Sequence, residues 1–309
     1  MIASLFRKST PLNYSIVIIA VLFFFFVYQI QHATGENSLW YFAFKFGLLA
    51  LIYASLFITN FIVKKNGLSK DSAFTVLFYL IFLLFFPSVL DNFPLVISNF
   101  FVLLALRRLV SLHSLKAPKE KMFDASLWIF IAAIFHFWAI SYIVLVFISI
   151  LFHGARDYRN WFLPFIAFFT AATVFLFFAT IFDQNWVNQL INSATFNFKI
   201  NYFTNNYQNA ALSIYATVAL FFLVSLVMSL SNRPLILHSS YKKIISAFFI
   251  GIVIFVISPH KSNDLVIFTF APLAMMATSH IEASEVRWQR DVVVGIAIAC
   301  GLFCFFSQL

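Results

Sequence analysis

Charge is the first thing this chain lacks. Asp, Glu, Lys and Arg together make up only 10% of its 309 residues, against about 25% in an ordinary soluble domain. A water-soluble fold of this length is excluded, because its surface cannot be covered with so few charges. Glycine is also short, at 7 residues, and none forms a loop able to cradle a phosphate. HExxH and GxSxG arrangements are missing too. The loops between apolar runs are too short to hold a nucleotide domain, so ATP-driven chemistry within the chain is not expected. Cysteine is limited to Cys300 and Cys304, four apart in one apolar run. One helical turn is a poor frame for a disulfide, and both read as small hydrophobes. No Cys/His group has metal-ligand spacing, so no cofactor is evident. A divalent cation between Asp91 and Glu36 would require the fold to bring them together.

What the chain has instead is apolar surface: 62% of it is hydrophobic and 45 residues are Phe. A helix needs about 20 apolar residues to cross a bilayer. Runs of roughly that kind lie at 14–30, 39–63, 73–90, 93–108, 126–152, 161–182, 209–230, 243–258, 265–281 and 292–308. The first is too long for the core of a signal peptide and no small-x-small site follows it, so it reads as a span. The expectation is an all-α polytopic membrane protein forming one domain over residues 1–309.

The basic residues orient these runs. Arg7 and Lys8 precede the first. Lys64, Lys65 and Lys70 follow the second, and Arg107, Arg108, Lys116, Lys119 and Lys121 follow the fourth. Arg156 and Arg159 come after 126–152. Arg233, Lys242 and Lys243 follow 209–230, and Arg287 and Arg290 follow 265–281. Together these are 17 of the 20 basic residues, gathered in alternate loops. The positive-inside rule then places the N-terminus in the cytoplasm and the C-terminus outside, in a bacterial inner membrane. The run 126–152 has positive charge on both flanks, which a single crossing cannot satisfy. It is expected to be a re-entrant hairpin of two short helices, each about 12–13 residues by halving the run, with His136, Phe137 and Trp138 at its tip; the competing reading is one long tilted helix, with the charge rule failing at Arg156. The total is nine spans plus this hairpin.

Few charges remain on the outer side: Glu36, Asp91, Asp183, Lys199, Lys261 and Asp264, with His260 beside Lys261 and Lys45 in the outer part of the second run. Ionisable groups near membrane depth are functional candidates by default. The outer stretch 183–208 interleaves seven Asn residues with Trp186, Phe196, Phe198, Tyr202 and Tyr207. Such a mixture suits either sugar binding or an aromatic belt lying on the bilayer.

The order of features over 86–165 carries a resemblance. Leu90-Asp91-Asn92-Phe93-Pro94-Leu95 leads into a short span, Ser98 to Leu106. A basic loop, the hairpin, the turn Arg156–Arg159 and the span from Trp161 follow. Near the C-terminus, Pro259-His260-Lys261-Ser262-Asn263-Asp264 precedes an apolar stretch containing Pro272. This pattern, over about a third of the chain, resembles the GT-C superfamily of membrane glycosyltransferases that use polyprenyl-phosphate sugars. The resemblance implies a GT-C-like bundle transferring a sugar from a polyprenyl-phosphate donor to an acceptor on the outer face. Asp91, then Glu36, would take the acceptor's proton. Lys261, His260 and Lys45 would hold the lipid phosphate. His136, Trp186 and Lys199 would contact donor or acceptor. The chain departs from that superfamily in its short first outer loop, its single acid there and its lack of an outer Arg. Two other classes stay open: a non-enzymatic subunit of a secretion, motility or envelope-biogenesis complex, and a lipid or solute transporter. No nucleic-acid partner is implied.

Overall fold

The computed structural model describes residues 2–33, 38–114, 116–154, 157–198, 205–284 and 286–309. Among them are thirteen α-helices and no strand. In chain order these are α1 (Ile2–Phe6), α2 (Pro11–Gln31), α3 (Leu39–Lys65), α4 (Phe74–Phe85), α5 (Phe93–Val110), α6 (Pro118–Phe135), α7 (Ile143–His153), α8 (Arg159–Phe182), α9 (Asn185–Ser193), α10 (Asn206–Ser229), α11 (Leu235–Ile257), α12 (Ile267–Ala283) and α13 (Arg287–Ser307). Eight of them (α2, α3, α5, α8 and α10 to α13, with adjoining turns) are long and apolar enough to cross a membrane. The chain is a polytopic α-helical membrane protein.

The core is built around α4 and α12. All twelve residues of α4 are buried, as expected of a helix that is apolar on every side. It packs against α12, α13 and α3. The span ending in α12 is 89% buried, whereas that of α8 is 17% buried and lies at the rim. Aromatic rings fill the centre, with Tyr215 of α10 edge-on to Phe82, Phe85 and Phe86 at 5.2–5.8 Å between centroids. Lipid removes the hydrophobic drive between helices, so packing and interhelical hydrogen bonds must hold them, at about 0.6 kcal/mol per bond. Thr75 and Thr278 join α4 to α12 at 3.1 Å. Tyr215 and Thr269 join α10 to α12 at 2.6 Å. Ser98 donates across to the Ala132 carbonyl at 2.9 Å.

The basic residues collect at one end of the bundle. Lys64 pairs with Asp71 at 2.9 Å, Arg108 with Asp124 at 2.8 Å and Lys119 with Asp157 at 2.7 Å. Arg233 donates to the Ser279 carbonyl at 2.9 Å. Ala3 donates its backbone N–H to Asp291 at 2.9 Å, fastening α1 to α13.

Three spans differ from the hydropathy reading. The run 73–90 is not one helix: α4 stops at Phe85 and a 3₁₀ turn, Pro87–Asp91, completes the traverse. Pro87 supplies the fixed φ that starts this turn. The hairpin begins at Pro118 rather than 126. Its first leg, α6, has 18 residues, about 27 Å at 1.5 Å per residue. A 3₁₀ turn, Phe137–Tyr142, and α7 form the return leg. The first leg is therefore longer than expected, while α7, at 11 residues, is short. Hydropathy cut the first leg short because Lys119, Glu120, Lys121 and Asp124 occupy its opening turns, where ion pairs and the Ser111 carbonyl accommodate three of them. The two feet of the hairpin meet, since a Cβ built on Gly154 would lie 3.0 Å from Met122 Cε. Finally, α11 starts at Leu235, so Lys242 and Lys243 sit inside a helix and not in a loop. Lys243 is fully buried and donates to the Leu109 carbonyl at 2.6 Å, near the C-terminus of α5, where the helix dipole favours a cation.

Candidate functional site

The end opposite the basic one carries a cavity of about 960 Å³. Five pieces of chain line it: the N-terminus of α5, the tip of the hairpin, α8 through Phe175, the connection between α11 and α12, and α9. Its lining is mixed. Ile134, Phe135, Phe175 and Leu190 are apolar, while Asn92, His136, Gln189, Asn192, His260 and Lys261 are polar. Such a mixture suits an amphiphile.

His136 stands where the hairpin turns. Its extended backbone, φ −143° and ψ 105°, ends α6 and opens the following turn. Its Nε2 is 3.3 Å from Ser258 Oγ, and Phe268 lies behind the ring at 5.7 Å. Two residues on, Trp138 donates its indole N–H to the Thr195 carbonyl at 3.2 Å and meets the Phe196 ring at 4.6 Å.

Lys261 fastens the connection between α11 and α12 to the chain leaving α9. It donates to the Asn197 carbonyl and, at 3.1 Å, to the Ser258 carbonyl. Asn197 in turn donates its backbone N–H to the Ile257 carbonyl and its amide to the Pro259 carbonyl, each at 3.3 Å. Partial burial lowers the Lys261 ammonium below the ordinary lysine range. His260 is exposed on the same loop.

The roof is α9, with Trp186, Gln189 and Asn192 on the cavity wall. None of its nine residues is buried. It alternates Trp186, Val187, Leu190 and Ile191 with amides, so the stretch 183–208 contains an uncharged amphipathic helix of the interfacial kind.

Asp91 and Lys45 lie elsewhere. They form an ion pair with each other and line a second cavity of about 380 Å³ with Trp40, Tyr41 and Phe93. The Asp91 side chain is 49% exposed. Of the sequence-derived candidates, His136, His260, Lys261 and Trp186 therefore share one cavity, and Asp91 and Lys45 share another. Glu36 and Lys199 lie outside the described residues.

Asp264 received no role from the sequence, and its environment is distinctive. It is 9% exposed. It accepts hydrogen bonds from Ser88 and, at 3.2 Å, from the Asn92 amide. Asn92 also caps α5 by accepting from the Leu95 N–H at 3.3 Å. Asp264 thus joins the two sequence elements, 90–95 and 259–264, at the starts of α5 and of the turn into α12. The available signal was an acid at the head of an apolar run.

Among the described residues lining the larger cavity there is no carboxylate. It can offer an ammonium, imidazoles, amides, hydroxyls and aromatic faces. No family model, curated protein or solved structure matches the chain.

Proposed function

We propose that this chain is a sugar transferase of the inner membrane, whose larger cavity takes a polyprenyl-phosphate sugar. Its basic end faces the cytoplasm and its cavity faces outward. The donor phosphate sits against Lys261 and His260, the sugar against the tryptophans and amides beneath α9, and the prenyl chain leaves past Phe135 and Phe175. The observation that carries this reading is the mixed lining of one cavity: a cation, imidazoles and amides together with Ile134, Phe135, Phe175 and Leu190. A water-soluble sugar would leave those apolar side chains unused.

The test uses the full-length chain in nanodiscs with a photoreactive polyprenyl phosphate. Labelling is expected on the hairpin tip and on α9. Lys261→Met is expected to weaken binding about tenfold, since 1.4 kcal/mol is tenfold and a charge-assisted bond is lost. Label spread evenly over the lipid-facing perimeter would sink the reading.

A second reading, a non-enzymatic subunit of an envelope complex, draws on the lack of a carboxylate among the described lining residues and on the pairing of Asp91 with Lys45. It predicts stoichiometric partners on purification and normal surface glycans when the gene is deleted.

A further inference from the structure

We propose that His136 is the proton acceptor of the cavity, acting through Nδ1; this rests on the sugar-transfer reading above. The sequence resemblance pointed to Asp91, which the fold places in the other cavity with Lys45.

Hydrogen-bond direction assigns the ring's proton. Ser258 has one hydroxyl hydrogen, and it is donated to the Ile254 carbonyl at 2.7 Å. Its oxygen can therefore only accept from His136, whose Nε2 lies 3.3 Å away. In a neutral imidazole, a hydrogen on Nε2 leaves the basic lone pair on Nδ1. His136 lines the cavity, and its ring is held between the Ser258 bond and the Phe268 face. Orientation by a third group is what a general base requires.

The competing bases are few. Among the described lining residues there is no Asp or Glu, and Lys261 is a donor. His260 is exposed, and no hydrogen bond among the described residues sets its tautomer. Ser258 also places base and cation together. Its hydroxyl meets His136 while its carbonyl accepts from Lys261 at 3.1 Å.

The acceptor hydroxyl oxygen bonds to the anomeric carbon as its proton passes to Nδ1. The bond from that carbon to the phosphate oxygen breaks, and its electron pair leaves on polyprenyl phosphate beside Lys261. The imidazolium then returns its proton to water.

The experiment measures release of polyprenyl phosphate from decaprenyl-phosphate hexoses in vesicles of the host membrane, which supply the acceptor. Binding of decaprenyl phosphate to the purified full-length chain is measured in parallel. His136→Gln keeps an N–H where Nε2 bonds Ser258 and removes the Nδ1 base. It is expected to bind decaprenyl phosphate as wild type does, to lose about 100- to 10,000-fold in rate, and to lose the acid limb of the pH–rate profile. Ser258→Ala, which frees the tautomer, is expected to lower the rate several-fold at unchanged binding; it carries the test if His136→Gln does not fold. A His136→Gln rate within tenfold of wild type, or binding lost together with turnover, overturns the proposal. An unchanged rate in Ser258→Ala overturns it as well. If wild type releases nothing from any donor, the sugar-transfer reading fails and takes this proposal with it. Release that survives the His136 substitution sinks this proposal alone.

Discussion

Lys119 and Asp157, one at each foot of the hairpin, form an ion pair at 2.7 Å. The hydrogen bond from Lys119 is the main reason the Asp157 carboxyl lies below the ordinary carboxylate range. Both are partly exposed to solvent, so the pair contributes little to stability. Its significance is topological: 36 residues from Pro118 to His153 leave this end of the bundle and return to it.

Side-specific labelling checks that path. Single cysteines replacing Lys116 and Asp157 are expected to react with an impermeant maleimide from the same side of the membrane. A cysteine replacing His260 is expected to react from the other. Labelling of positions 116 and 157 from opposite sides would mean that the segment crosses once.

Close approach of α11 to α12 gives a second prediction. A Cβ on Gly251 would lie 2.7 Å from Thr269 Cγ2 and 3.1 Å from the Phe268 carbonyl carbon. Gly251→Ala is expected to destabilise the bundle by about 1–3 kcal/mol, as overpacking does. Gly295 has open space around its would-be Cβ, so Gly295→Ala should be neutral or stabilise by up to about 1 kcal/mol. Unfolding titrations in mixed detergent would compare the two; equal shifts would refute the contact.

Asp264→Asn supplies a third. The asparagine presents one acceptor oxygen where two oxygens now accept. A loss of about 1–3 kcal/mol in stability is expected, the cost of leaving a buried polar group unsatisfied. Asp91→Asn should cost far less, because Asp91 is half exposed and its bond to Lys45 lies at the surface. Thermal melts of the two variants side by side decide the matter. A larger loss for Asp91→Asn would reverse the assigned roles.

Most of the bundle was legible because transmembrane helices announce themselves by hydropathy. The hairpin was legible because its two flanks carried one sign. Its length was not, since Lys119 and Asp124 sit within the helix and are neutralised by partners distant in sequence. Lys243 misled likewise, because a buried lysine bonded to a carbonyl looks in sequence like any loop cation. At the site, His136, His260, Lys261 and Trp186 were named from composition and position, and one cavity gathers them. Asp91 and Asp264 show the limit. Their roles depend on which partner each meets across the bundle, Lys45 for one and Ser88 with Asn92 for the other, and no local pattern encodes that pairing.

The full enclosure of α4 bears on how the protein is made. Part of its sheath comes from α12 and α13, which are translated well after α4. Until they dock, Thr75 lacks its Thr278 partner. The enclosure of α4 is therefore completed only when these two helices arrive. A chain truncated before them should insert into the bilayer yet remain a substrate for membrane quality-control proteases, its middle open like an unfilled groove.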